Sequence, residues 1–193
     1  ALAAGLVLGV LFFTPFAKNN PEWALILPFA TIGVAFLFRP LGAIVCGHLG
    51  DRWGRKKVLA ATLILMGVAT ALIGVLPTYD QIGLLAPVLL ISLRILQGFS
   101  AGGEWGGAAL MAVEHAPPGK RSLFGAFPQI GVPLGMIMAT AVLWCITALI
   151  GKEQFLAWGW RIPFALSIVL VAVGFVIRRA VEESPVFLEM QAR

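Results

Sequence analysis

The sequence predicts an all-α membrane protein that crosses the bilayer about six times. Three observations carry this. Hydrophobic residues make up 60% of the 193 residues and charged residues 12%, where an ordinary soluble domain carries about 25% charge. The apolar residues fall in long runs, separated by short clusters of Pro, Gly and charge. The runs lack strand-like alternation, and lipid offers backbone groups no partner, so each run must satisfy its own hydrogen bonds as a helix. The same composition excludes a disordered chain.

The spans are expected at 1–17, 22–48, 57–77, 83–114, 121–150 and 157–180. The first is shorter than the roughly 20 residues a span needs. It opens directly in Ala-Leu-Ala-Ala-Gly, without methionine or a charged flank, and reads as a first helix missing its beginning. Breaks are expected at Lys18-Asn19-Asn20-Pro21, at Gly47–Lys57, at Pro77-Thr78-Tyr79-Asp80, at Pro117–Arg121 and at Gly151–Gln154. Pro128 and Pro133, on either side of Gln129, should bend or loosen the fifth helix.

The breaks differ in charge. One side gathers Arg52, Arg55, Lys56, Lys57, Lys120, Arg121, Arg178 and Arg179; the other holds Lys18, Lys152 and Arg161. The positive-inside rule makes the first side cytoplasmic. Trp23, Tyr79, Trp158 and Trp160 then fall near the outer interface, where amphipathic rings are expected. The net charge of +5 lies in these short loops rather than on one exposed stripe, which speaks against a nucleic-acid partner. Cys46 and Cys145 both sit inside apolar runs, so a disulfide framework is not expected.

The Gly47–Lys57 loop reads Gly-His-Leu-Gly-Asp-Arg-Trp-Gly-Arg-Lys-Lys. Gly47, Gly50 and Gly54 permit close approach and a sharp turn. Asp51 and Arg55, four apart, can pair on one helical turn.

Three ionisable residues lie within spans: Arg39, Arg94 and Glu104. Charges in the bilayer are costly and usually face a cavity or one another. Arg94 also has the option of snorkelling to an interface. Arg39, eight residues before Gly47, and Glu104, ten before Glu114, lie at similar depths from the cytoplasmic end, about 12 and 15 Å. Two readings stay open: a structural Arg39–Glu104 pair, or a proton site at Glu104. Gly98, Gly102 and Gly106 form a four-residue stripe, read first as helix packing. Gln97, one turn from Arg94, and Gln129 are polar candidates for lining a cavity, although Gln129 could simply bond to backbone freed by the prolines.

Other chemistries lack support. There is no phosphate-cradling loop with a following Lys-Ser/Thr. His48 and His115 have no neighbours at metal-ligand spacing, and no serine has an evident base. No cofactor is expected beyond a proton as coupling ion.

The pattern Gly-x-x-x-Asp51-Arg52-x-Gly54-Arg55-Lys56 resembles the loop between helices two and three of the major facilitator superfamily. The run Arg94-Ile-Leu-Gln97-Gly98-Phe-Ser-Ala-Gly102-Gly103-Glu104-Trp105-Gly106-Gly107 sharpens the resemblance. With Glu114-His-Ala-Pro, Pro128-Gln129-Ile-Gly131-Val-Pro133-Leu-Gly135 and Glu183-Ser184-Pro185-Val-Phe187, it is similar to the metabolite:proton symporters, shikimate and general metabolite transporters included. The resemblance covers essentially the whole chain. It implies twelve helices in two bundles with alternating access, of which this chain would be the N-terminal half. That half is built from three-plus-three inverted repeats, echoed faintly by Arg39-Pro40-Leu41-Gly42 and Val132-Pro133-Leu134-Gly135 and by Arg52-Trp53-Gly54-Arg55 and Trp158-Gly159-Trp160-Arg161. It implies a conformational latch of Gly47, Asp51, Arg52, Gly54 and Arg55, in which Asp51 meets a helix N-terminus of the opposite half. Arg39, Arg94, Gln97, Glu104 and Gln129 are the candidates for substrate or proton coupling.

The expected partners are the lipid bilayer, a small anionic metabolite, protons and the missing C-terminal half. The expected place is a bacterial inner membrane, and this half alone should not transport. Two other readings remain. One is a uniporter or antiporter of the same fold, towards which the Glu183-Ser184-Pro185 signal of sugar porters points. The other is a stand-alone six-helix protein with a scaffolding role.

Overall fold

The computed structural model describes residues 5–18, 20, 22–182 and 188–189, with Leu6, Ala17, Ala24 and Leu25 described by backbone alone. The start of the first predicted span, Asn19 and Pro21 of the first break, and the Glu183–Phe187 motif lie outside the described residues. The elements are α1 (Gly5–Ala17), α2 (Trp23–Leu37), α3 (Arg39–Trp53), α4 (Arg55–Val75), α5 (Tyr79–Ile82), α6 (Leu85–Glu114), α7 (Arg121–Ile150), α8 (Lys152–Gln154), a π-turn (Phe155–Gly159) and α9 (Arg161–Ala180). Five stretches are long and apolar enough to cross a membrane, and α1 supplies a shorter apolar helix, Val7–Phe16.

Most predicted spans recur, with informative differences. The fifth span matches α7 from Arg121 to Ile150, and Pro128 and Pro133 sit inside a continuous helix. The second is two helices run nearly end to end, parted at Phe38. Pro40, at the start of α3, has no N–H to donate to the preceding turn and is tolerated best at such a start. The charged stretch read as a loop is almost wholly helical. α3 continues through Asp51 to Trp53, α4 begins at Arg55, and Gly54 alone makes the turn at φ 103° and ψ 134°. That backbone is open to glycine and strained for other residues. Gly47 lies within α3 and has nothing within 4 Å of where a Cβ would stand, so it neither turns the chain nor admits a neighbour here.

α6 is the hub of the bundle. It packs against α2, α3, α4 and α7, while α9 packs on α4 and α1 on α2. At about 45 Å for 30 residues, it is longer than the roughly 30 Å hydrocarbon core. Its glycines explain how closely it approaches its neighbours. A Cβ at Gly98 would strike the carbonyl of Ala35, and one at Gly102 the carbonyl of Arg39; a Cβ at Gly42 would strike Phe99 in return. Gly106 has nothing within 4 Å. Gly98→Leu and Gly102→Leu are therefore expected to remove most monodisperse protein in size-exclusion chromatography, because the obstacle is backbone and cannot move aside. Gly106→Ala should elute as wild type. Equal behaviour of all three would remove packing as the reason for the stripe.

The two ends of the bundle are held differently. At the end formed by the start of α6 and the end of α4, Leu8, Phe12, Ile73, Ala86, Leu90 and Trp160 belong to one buried apolar core. Trp160 meets Phe12 and Phe164 edge-to-face at 6.1 and 6.0 Å. This corrects the interfacial place expected for Trp160, which is 1% exposed. The π-turn that precedes it carries the ring into the bundle. Trp23 and Trp158 remain exposed, and Tyr79 packs edge-on to Phe16. At the other end, charge does the holding.

Candidate functional site

Two polar clusters stand out, one inside the bundle and one at its charged end. The inner cluster begins at Arg94, nine residues or about 14 Å into α6. Arg94 is 1% exposed, so it does not snorkel. Its Nη1 donates to Gln97 Oε1 at 2.9 Å, and Gln97 Nε2 donates to Thr70 Oγ1 at 2.8 Å. Thr70 Oγ1 in turn donates to the Met66 carbonyl at 2.7 Å. Arg94 and Gln97 share a face because residues three apart on a helix are neighbours, and the close packing of α4 on α6 brings Thr70 to them.

The cluster is incomplete. Arg94 Nε and Nη2 are buried without a hydrogen-bond partner among the described residues, and so is the Oγ of Ser100, two turns along α6. No carboxylate among the described residues pairs with Arg94. A buried cation with unfilled donors costs several kcal/mol unless an anion meets it. Arg94 thus presents a directional, two-pronged donor inside a low-dielectric bundle.

The outer cluster joins four elements. Arg55 is bonded to Glu114 at the end of α6, and its Nη2 lies 3.3 Å from Asp51 Oδ1. Lys56 Nζ donates to the Arg179 carbonyl at 2.9 Å. Arg178 donates both to Glu104 and to the Leu59 carbonyl. The ends of α3, α6 and α9 and the start of α4 are therefore tied together at one face of the bundle. Asp51 is the outermost member, its side chain 62% exposed against 14% for both Arg55 and Glu114.

The expected Arg39–Glu104 pair is not formed. The depths agree, since the Arg39 carbonyl lies against Gly102. The directions do not: Arg39 is exposed and its guanidinium stacks 4.0 Å from the Phe36 ring. Glu104 turns to Arg178 instead. It bonds a residue in the last turn of α9 that also reaches Leu59 in the first turns of α4. The adjacent Gly103 lies against Cys46 and Thr62, so Glu104 stands about two turns in from Arg55, and the long Arg178 side chain reaches in to it. Gln129 is exposed on α7, a helix with no buried residue among those described. Arg52 is also exposed. The structure thus gathers Arg94 with Gln97 and Asp51 with Arg55, while Arg39 and Gln129 stand apart.

Sequence reasoning did not assign Thr70, Glu114 or Arg178 to a site. Glu114 and Arg178 each carry charge at a helix end, and pairing of loop cations with helix-end acids is a signal that could have found them. Thr70 has no such signal, because its place depends on the register between α4 and α6.

Membrane-length helices thus enclose a half-partnered guanidinium and are tied by ion pairs at one face. The family model described as "Sugar (and other) transporter" matches residues 2–193, and the chain belongs to that family. It is 50% identical over 188 residues to a putative metabolite transport protein of Haemophilus influenzae, covering 97% of this chain and 41% of that protein. It is 47% identical over 190 residues to the shikimate transporter of Escherichia coli, covering 98% of this chain and 43% of that one. Among solved structures, the xylose transporter XylE from E. coli in a partially occluded inward open conformation matches with a TM-score of 0.84 at 19% identity, over 99% of this chain and 47% of that one. That last likeness is one of fold. The relatives are transporters rather than enzymes, and the chain spans less than half the length of the relatives named here.

Proposed function

We propose that this chain is the N-terminal bundle of a proton-coupled symporter that carries a small organic acid across a bacterial inner membrane by alternating access. The carrying observation is Arg94: fully buried, with Nε and Nη2 unfilled. A carboxylate, from the substrate or from a coupling acid, is the group that would complete it. The E. coli relative is named for shikimate, a carboxylic acid, which agrees with this reading. Gln97 and Thr70 hold the guanidinium in place, and Arg39 is a more exposed cation that would draw anions toward the bundle.

The test is uptake of labelled organic acids by the full-length protein in liposomes under an imposed pH gradient. Uptake should follow the gradient and collapse with a protonophore, while substrate exchange persists. Uptake indifferent to both would make the protein a facilitator or an antiporter. Single cysteines at Arg52 and Lys120 should label only from the cytoplasmic face, and one at Lys152 only from outside. Labelling at Arg52 from outside would reverse the orientation.

Asp51 is proposed as the latch. It is the exposed end of the Asp51–Arg55–Glu114 chain, free to meet a further element without breaking the inner pair. Asp51→Asn is expected to lower the maximal rate at least tenfold while leaving substrate affinity within about twofold, because it biases a conformational equilibrium rather than a binding contact. A pure loss of affinity with unchanged rate would count against the latch.

A further inference from the structure

The cations around the Gly54 turn divide into two sets. Arg55 and Lys56 are bonded into the bundle. Arg52 and Lys57 are exposed, with no hydrogen bond or ion pair among the described residues. Both unpaired cations line the same groove, a cavity of about 700 Å³ between α3 and α4 with Phe99 of α6 beside it.

The groove's chemistry is graded. Arg52, Lys57 and the 64%-exposed Trp53 stand at its charged end. Val58, Ala61 and Leu65 continue along α4, and from Lys57 to Leu65 the wall runs about 12 Å. No lining residue is acidic. Two unpaired cations beside an indole, above an apolar slot, match a molecule with an anionic head and a hydrocarbon tail. Basic pockets between membrane helices at the cytoplasmic surface hold acidic lipid headgroups for this reason, and indoles favour the headgroup level. A small soluble anion would use the cations and leave the apolar wall unused.

We propose that this groove is a binding site for an acidic phospholipid of the cytoplasmic leaflet. The phosphate lies between Arg52 and Lys57, and one acyl chain runs along Val58, Ala61 and Leu65. The choice of leaflet rests on the orientation given under Proposed function; the site itself does not. Trp53 flanks the headgroup, and Lys56, bonded to the Arg179 carbonyl, takes no part.

The test is native mass spectrometry of the full-length protein titrated with phosphatidylglycerol and, separately, phosphatidylcholine. Wild type should retain one phosphatidylglycerol well above the phosphatidylcholine level. Neutralising a surface cation costs about fivefold, so Arg52→Gln with Lys57→Gln should weaken phosphatidylglycerol about thirtyfold. Ala61→Trp, which fills the slot and keeps both charges, should also lose the lipid. Lys120→Gln with Arg121→Gln should bind as wild type. Should Ala61→Trp fail to fold, the two exposed cation changes still decide the matter. Equal retention of the two lipids by wild type would overturn the site. So would undiminished phosphatidylglycerol binding by the Arg52/Lys57 variant, or displacement of the lipid by millimolar inorganic phosphate alone. Outside labelling of a cysteine at Arg52 would move the lipid to the other leaflet without touching the site.

Discussion

Arg94→Gln should abolish pH-driven uptake and leave a protein that still folds. Truncating one partner of a buried, hydrogen-bonded charge pair costs about 2–5 kcal/mol, so substrate affinity should fall by thirtyfold to several thousandfold. Stability should move the other way. Arg94 lies 1% exposed with two nitrogens unfilled, and removing an uncompensated buried cation relieves its desolvation. The melting temperature of the unliganded variant should therefore equal or exceed that of wild type. Added organic acid should raise the wild-type melting temperature through mass action and leave that of the variant unchanged. Arg94→Lys should recover little, since a point charge on a flexible stem does not reproduce the planar fork. A variant that transports normally would remove Arg94 from the site. One that unfolds would make it a structural residue.

The sequence carried the bundle because hydrophobic length is a one-dimensional property. The helix α7 has the bounds expected for the fifth span, Arg121 to Ile150, since Lys120 and Gly151 flank a run whose only charge is Arg121 at its start. The Gly47–Lys57 stretch misled because charge marks where a helix leaves the bilayer, not where it ends. Asp51, Arg52 and Trp53 stay helical, and only the positive φ of Gly54 stops the chain. Arg94 and Gln97 were readable as a pair from their three-residue spacing. Thr70 was not, because inter-helix register is set by packing that no single segment encodes. The Arg39–Glu104 expectation had the height right and the direction wrong. Height follows from counting residues along a helix. Direction depends on how each helix is rotated, and here Gly102 takes the Arg39 backbone while its side chain turns to Phe36.

Glu104 and Arg178 should be energetically coupled, and Glu104 and Arg39 should not. Arg178 bonds Glu104 and the Leu59 carbonyl at once, tying α9 to both α6 and α4. The two side chains are 27% and 22% exposed, so water screens the pair only partly. Glu104→Gln leaves Arg178 its carbonyl partner, whereas Arg178→Gln strands a half-buried carboxylate. The second change should therefore be the more damaging, with losses of about 1–3 kcal/mol for leaving one partner unpaired. The double change should be milder than the sum by about 1–2 kcal/mol. The matching cycle with Arg39→Gln should be additive, because a cation exposed over Phe36 does not sense Glu104. Coupling to Arg39 instead of Arg178 would overturn the arrangement at the charged face. Uptake by the Glu104/Arg178 double variant separates structure from coupling. If uptake still follows the pH gradient, Glu104 acts as a tie between helices and the proton is carried elsewhere. If exchange survives and gradient-driven uptake is lost, Glu104 carries the proton from its place level with the first turns of α4.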